Sequence, residues 1–571
     1  MKASEGDVGG VLKKSNRFSV PKFQRPYVWV ELDQRRLWEA VEYQAGLMRG
    51  RGSTSKPDQF IGSVVLAKRG GKSSASDPDH YSIIDGQQRL MTVSVFLAAL
   101  RDSTFDQDSP KGEADFDRFT RTHLRVSMGS GQSRLLIEPQ GSDRLPYQEI
   151  VDYEDATEPK HLLIQCYDNA MGWIATAQKR DKTFSRDRYV KALLNRLAIV
   201  SIELDHRDNA HRVFYSLNSL GRPLSRSEKV KTLFSMSAGS RADELYDDYW
   251  RPMVIDVGGD GRVEDYLLSR LIIKKNAINK PQIEQAYTSV LERFDGNANK
   301  VMSEAKRLHG GVQSFRYATG AEEHPKASLS VRLGRLNDWG VTPAWPLVTL
   351  ILDELDGGRL SQPNASKALL MIESLVVRRF VCGIPPNDLR SRLTDITVKL
   401  DRGSALPADL RTRLMEPTNR WLSDTEIRQL ILTTSVYEPR RTKQLLLLFQ
   451  WLSEDVQGVQ TPTLRTPNYQ IEHVLPQSHG EWAGDLRGWG VKNIDDFVAR
   501  RLHVIGNLTP LQHQANAGAG RERLNIKQVK YYKKSPLTIT RRLATKATWT
   551  EADIDARGKA LANGIARLWP R

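Results

Sequence analysis

Apolar positions recur along the chain with two different periods. "FIGSVVLAK" and "HYSIIDG" are short β-branched runs between residues 60 and 86, and they predict two strands joined by a long hairpin across the polar stretch "RGGKSSASDPD" (69–79). The next segment, "QQRLMTVSVFLAAL", sets Leu90, Val93, Leu97 and Leu100 at helical spacing. "RDSTFDQDSPKGEADFD" (101–117) is poor in apolar residues and reads as a surface loop. From about 240 to 450 the pattern is mostly helical. "ASKALLMIESLVVRRFVCG" (365–383) ends on basic residues and a glycine, as a helix C-terminus should, and "RTKQLLLLFQWLSE" (441–454) is a second such segment. "EDVQGVQTPTLRTPN" (454–468) then reads as a linker, and no internal repeat is visible. The pattern predicts a helix-rich α+β multidomain chain: an α/β domain over 1–240, a helical middle over 241–454 and a small domain over 455–571.

Composition changes this picture in three places. The 571 residues are 39% hydrophobic and 27% charged, ordinary values for a globular chain with real cores. The opening "MKASEGDVGGVLKKSNRF" lacks the apolar core of a secretory signal, and "WPLVTLIL" (345–352) is too short to span a bilayer. Two cysteines, Cys166 and Cys382, rule out a cysteine-based zinc cage and argue against a disulfide framework. A cytoplasmic protein with no membrane partner is expected. The 84 Lys+Arg against 68 Asp+Glu leave +16, which favours polyanionic partners through counterion release. The same charge also suits a merely soluble surface.

Candidate chemistry gathers near the end of the chain. In "IEHVLPQ" (471–477), Glu472 offers a hard oxygen ligand and His473 an imidazole able to take a proton near neutral pH. Adjacent strand residues point to opposite faces, so the two have different tasks unless a bulge intervenes. In "LHVIGNLTPLQHQANAGAG" (502–520), Asn507 and Asn516 bridge a loop and the first turn of a following helix. An asparagine carbonyl beside a carboxylate is an acceptable Mg²⁺ ligand. His503 and His513 read as structural. "RERLNIKQVKYYKKSPLTITRR" (521–542) carries eight Lys/Arg against one acid with Tyr531 and Tyr532 interleaved, which suits either a phosphate-tracking surface or a solvated helix face. Arg523 and Lys527 are its phosphate candidates.

These signatures, "EHVLP" and "GNLTPL…N", resemble a His-Asn-His (ββα-metal) nuclease in the version fused to GmrSD-type restriction proteins. The resemblance implies His473 as general base, Glu472 and Asn516 as ligands of one Mg²⁺ or another divalent cation, and Asn507 as the residue pinning the catalytic loop. Asparagine at the third motif position leaves open which ion works best.

A second ordered set lies upstream: "VPKFQRPYVW" (20–29), "FIGSVVL", "IIDGQQRLMTV" (83–93) and "HRVFYSLNSLGRPLSRSEKVK" (211–231). "IIDGQQR" reads as strand, tight glycine turn and helix N-terminus, which aims backbone N–H groups at a phosphate. Arg89 adds a charge in the first turn, Asp85 a carboxylate, and Gln87 and Gln88 can position water or read a base edge. "GKS" at 71–73 is no P-loop, because Leu66 stands at the required glycine. Phe23, Tyr27 and Trp29 suit either base stacking or core, with core favoured for two of the three. The set resembles the GmrS-like N-terminal domain, related to ParB and sulfiredoxin folds, over roughly 15–235. That implies binding and often hydrolysis of GTP or ATP, with Asp85, Gly86, Gln87, Gln88 and Arg89 at the site. Gln24 and Arg25 stand on the adjacent loop, and Asn218, Gly221 and Leu224 match the family's "N…GRPLS" segment.

Together the resemblances imply a restriction endonuclease whose N-terminal domain senses modified DNA, carrying glucosylated or hydroxymethylated cytosine or phosphorothioate, and whose C-terminal domain cuts it. A single-metal module cuts one strand per engagement, so double-strand cleavage requires a homodimer or two events. Two alternatives are a ParB-like DNA-binding regulator with a vestigial nuclease, and an RNA-directed or toxin-like nuclease.

Overall fold

The β-branched runs near the N-terminus pair into one six-stranded mixed sheet in the order β1-β8-β3-β4-β2-β7. Its strands are β1 (Lys2–Asp7), β2 (Asn16–Ser19), β3 (Gln59–Lys68), β4 (Asp79–Asp85), β7 (Ile137–Glu138) and β8 (Leu197–Leu204), with β5 (Arg125–Ser127) and β6 (Ser133–Leu135) forming a separate hairpin. The expected β3–β4 pairing is antiparallel, and β3 also runs parallel to β8. Strand alternation divides the side chains between two faces. Val64, Leu66 and Ile83 enter the main core, whereas Val65 and Ile84 join Phe23, Leu204 and Leu224 in a small cluster of their own.

The computed structural model describes the chain except residues 49–58, 70–75, 107, 206–212, 214–223 and 465–466. It divides into two compact units, Met1–Pro252 with Tyr287–Lys306, and Met253–Ala286 with Arg307–Arg571. No helix among the described residues is long and apolar enough to cross a membrane.

In the first unit, helix Gln87–Asp102 begins at Gly86, whose φ of 86° is the left-handed conformation that a tight strand-to-helix turn needs. Leu90, Val93, Leu97 and Leu100 are all buried, as their spacing predicts. The stretch 101–117 is not a loop throughout. Residues Pro110–His123 are helical, started by Ser109, whose hydroxyl accepts from Gly112 N at 3.0 Å, and by proline in the first turn. Polar residues hid this helix, but Phe116 lies 4.0 Å beneath the buried Arg101 guanidinium.

In the second unit the helices Ala327–Trp339, Trp345–Asp356, Gln362–Val381 and Thr442–Gln457 build one apolar core. That core continues through Tyr469, Ile471, Leu508, Ile539, Leu561 and Trp569. The line read from the sequence near residue 454 therefore runs through shared packing. Trp569 fixes the join: its indole N–H donates to Glu373 at 2.7 Å, and its carbonyl accepts from Arg378 Nε at 2.7 Å.

Candidate active site

Two short strands, β9 (Tyr469–His473) and β10 (Leu508–Gln512), pair antiparallel with His473 opposite Leu508 and Glu472 opposite Thr509. Helix His513–Ala519 follows directly, completing a strand–strand–helix unit. The "GN" preceding β10 has a steric and a polar reason. A Cβ on Gly506 would lie 2.3 Å from the Ile554 carbonyl, so only glycine lets helix Glu551–Leu568 approach the turn. Asn507 is fully buried; its Oδ1 accepts from Leu475 N at 2.7 Å and from the Trp549 indole at 2.9 Å. Its Nδ2 donates to the carbonyls of Leu475 at 3.1 Å and Leu502 at 2.8 Å. Asn507 therefore pins the turn after His473 and is itself out of reach of any substrate.

Glu472, His473 and Asn516 border one cavity of about 340 Å³, together with Tyr437, Gln477 and Arg521. Both strand neighbours border it, and His473 is the last residue of β9. His473 Nε2 lies 3.1 Å from His503 Nδ1, and the Gln477 amide donates to His473 Nδ1 at the longer distance of 3.4 Å. This arrangement assigns the proton to Nε2, donated to His503, and leaves Nδ1 as the weakly held acceptor. Tyr437 packs edge-on to His473 at 4.6 Å and parallel to His503 at 5.5 Å. Burial, followed by the neighbouring His503 and Lys527, pushes His473 down to about 3, so the imidazole is neutral at physiological pH.

Glu472 is almost fully enclosed. Its Oε1 accepts from Lys527 Nζ at 2.7 Å and from the Tyr532 hydroxyl at 3.3 Å. Lys527 Nζ also donates to the carbonyls of His473 at 3.0 Å and Val474 at 3.2 Å. Burial raises the Glu472 carboxyl and lowers the Lys527 ammonium, while their contact opposes both shifts. Asn516 donates from Nδ2 to Gln470 Oε1 at 2.7 Å, which fixes its amide, and its Oδ1 is buried without a hydrogen-bond partner. No cluster of three or more His, Cys, Asp or Glu is placed to hold a metal among the described residues. A hard cation here would have the second Glu472 oxygen, Oε1 being held by Lys527 and Tyr532, and the unpartnered Asn516 oxygen, with water and phosphate oxygens completing its shell. Oxygen donors of this kind are the ones a hard divalent cation such as Mg²⁺ takes.

In the first unit, "FQRPYVW" and "DGQQR" grip one another. Gln88 accepts from Val28 N at 2.8 Å and donates to Pro26 O at 3.1 Å. Gln87 donates to Arg25 O at 2.7 Å, leaving its own Oε1 buried and unpartnered. Gln24 donates to the carbonyls of Ile83 and Ile84 at 3.0 and 2.8 Å, and Lys231 Nζ donates to Gln24 O at 3.2 Å. Arg89 lies over Gly62, whose φ of 115° marks a register shift in β3, and donates to Ser63 O at 2.7 Å. Asp85 is held above the usual carboxylate range by burial, opposed by the Gly86 N–H and by Arg89 and Arg25.

Two family models match the chain, the GmrSD restriction endonuclease N-terminal domain over residues 8–235 and the C-terminal domain over residues 421–563. The chain belongs to the GmrSD restriction endonuclease family. It is a restriction endonuclease, and DNA is its partner. A search of curated proteins gave no match.

Within this GmrSD chain several residues have other employment than their sequence suggested. Lys527 was a phosphate candidate, but its side chain is fully buried and all three N–H bonds have acceptors. Phe23 and Tyr27 are core rather than stacking platforms; the Tyr27 hydroxyl is 2.6 Å from Thr92 Oγ1. Trp29 is partly buried against the core that holds Tyr27. The Gln88 amide is spent at both ends on backbone, so it reads no base. Asn218 and Gly221 lie outside the described residues, and Leu224 is core. Arg523 is exposed, 3.9 Å from Asp485, and stays available to a phosphate. His503 reads as structural from the sequence, and Tyr437 is not marked there at all. "LHVIGN" marks His503 only by its nearness to Asn507, and Tyr437 arrives from the helical region through the Ser435–Val504 bridge.

Proposed function

We propose that this GmrSD enzyme is a modification-dependent DNA endonuclease that cuts at the Glu472–His473–Asn516 cavity under the control of a nucleotide-responsive N-terminal unit. The observation that carries the reading is the meeting of a neutral, oriented histidine and an unpartnered amide oxygen on one cavity wall. His473 takes a proton from water at Nδ1 while its Nε2–H stays on His503, the base-and-orienter pairing of a hydrolytic site. A base near 3 is weak at neutral pH, but an anionic phosphodiester in the cavity raises it toward the working range. Asn507 keeps the loop carrying His473 in register, and Glu472 with Asn516 would hold one divalent cation. When bound, such a cation would supply Lewis-acid stabilisation of the leaving oxygen.

For the N-terminal unit, the reading rests on a helix that starts at Gly86 without a side-chain cap, with Asp85 and the unpartnered Gln87 oxygen beside it. The helix N-terminus suits the phosphates of GTP or ATP, and the Gln87 oxygen would accept from a base or ribose donor; binding licenses cutting. Gating is needed because a nuclease that contacts only the DNA backbone carries no sequence information of its own. The experiment is cleavage of four matched DNAs, unmodified, hydroxymethylated, glucosylated and phosphorothioated, with Mg²⁺ and with or without GTP or ATP. Cutting confined to one modified substrate supports the proposal and names the mark. Equal cutting of all four removes the sensing role, and tight binding without cutting favours a DNA-binding regulator.

A further inference from the structure

A second cavity in the same unit, about 570 Å³, lies between helix Thr442–Gln457, the segment 539–546 and helix Glu551–Leu568. It shares no lining residue with the Glu472–His473 cavity. Leu452, Val456, Ile539 and Leu561 give it an apolar wall, and Arg542, Lys546, Arg557 and Arg567 make the remainder basic. Asp455, its one acidic lining residue among those described, is paired with Arg567, and Lys546 lies 3.8 Å from Asp553. Arg542 is exposed and in no ion pair among the described residues.

Arg557 decides the chemistry. Its Nη1 donates to the Gly506 carbonyl at 2.9 Å and the Leu508 carbonyl at 2.5 Å, the two residues flanking Asn507. Its Nη2 is buried and has no hydrogen-bond partner. A buried guanidinium N–H without an acceptor is costly, and an anionic oxygen is the acceptor that satisfies it best, once the Arg557 side chain turns toward the cavity it lines. Burial pushes Arg557 down to about 10, so it remains a cation at neutral pH.

We propose that this cavity binds a phosphorylated small molecule with an apolar planar part, of the nucleoside-phosphate class, and that the ligand sets the catalytic turn through Arg557. The volume falls within the roughly 300–1,000 Å³ of small-molecule sites. The basic side takes phosphate, and the apolar wall takes a base. Arg557 holds both carbonyls around Asn507, Asn507 holds Leu475, and Gly506 rests against the Ile554 carbonyl of the same helix. A ligand that recruits Arg557 therefore acts on the turn that sets His473. Binding stands on the cavity alone; the effect on cutting rests on the function proposed above.

The test is amide hydrogen exchange and calorimetry on the full chain, with ATP and inorganic pyrophosphate as probes. Exchange mapping is required because the N-terminal unit is also expected to take nucleotide. The proposal expects slowed exchange over 539–546 and 504–508 with ATP. It also expects affinity at this site weakened roughly tenfold or more in Arg542→Ala/Lys546→Ala. Unchanged exchange in both segments with both probes, or wild-type affinity in the double variant, overturns it. Protection confined to 539–546 overturns the coupling. Protection by a short duplex but by neither small probe assigns the cavity to DNA backbone and overturns the ligand class. If ATP protects both segments and His473→Ala still cuts DNA, the site stands and the nuclease assignment fails.

Discussion

Asn507 holds Leu475 in both directions, accepting from its N–H at 2.7 Å and donating to its carbonyl at 3.1 Å. Asn507→Ala leaves Leu475 N–H, the Trp549 indole and two carbonyls without these partners in a buried interior. Each unsatisfied group costs about 1–3 kcal/mol. The expected outcome is a clear fall in denaturant midpoint together with loss of cutting, measured on the same preparation.

Lys527 separates two accounts of the basic C-terminal stretch. As the buried partner of Glu472, its replacement by alanine strands a carboxylate and two carbonyls and should destabilise the chain by about 3–5 kcal/mol. The salt dependence of DNA binding should not change. A phosphate contact would instead lower the slope of log K against log salt by about 0.9 with little effect on stability. Arg523→Ala, at an exposed position, is the variant expected to lower that slope.

Gly62 and Gly46 form a matched pair. A Cβ at Gly62 would lie 2.5 Å from Arg89 Nη2, on a backbone with φ of 115°, so Gly62→Ala should displace Arg89 from Ser63 and cost roughly 1–3 kcal/mol. Gly46 meets nothing within 4 Å inside helix Glu31–Leu47, and Gly46→Ala should stabilise by about 0.5–1 kcal/mol. Urea midpoints of the two variants should move in opposite directions.

Acid should weaken the N-terminal unit through His80. Its Nδ1 accepts from Arg17 at 3.1 Å, and its Nε2 lies 3.0 Å from Ser19 Oγ. Burial first, then Arg17, Arg69 and Arg134, pushes it down to about 4. The unfolded chain, with a histidine near 6.5, binds the proton more readily. Stability is therefore full above about 6.5, falls as pH drops toward about 4, and levels off below. His123, also pushed down to about 4 by burial, acts with the same sign. His80→Gln should flatten the midpoint-against-pH curve in this window.

The sequence carried the elements whose residues are fixed by local rules. The helical spacing of Leu90, Val93, Leu97 and Leu100, the β3–β4 hairpin and the turn after His473 were all legible. What it hid was set by tertiary partners. Lys527 reads as a surface cation because nothing nearby in sequence announces Glu472, 55 positions earlier. Gln88 reads as a ligand-binding amide because its partners, Val28 and Pro26, stand 60 and 62 positions earlier in the chain. His503 reads as structural because nothing local points to its Nδ1 contact with His473, and Tyr437 belongs to a segment that reads as helical connection. The shared core around Trp569 was likewise invisible, since "ARLWP" has no pattern that points to Glu373.

The central claim is that His473 performs the cutting. The direct measurement is the single-turnover cleavage rate of His473→Ala beside wild type, on the DNA that wild type cuts, with affinity and thermal midpoint measured on the same samples. The account predicts a loss of about 10²–10⁴-fold in rate with binding and midpoint retained. Cutting at the wild-type rate by the folded variant would contradict it.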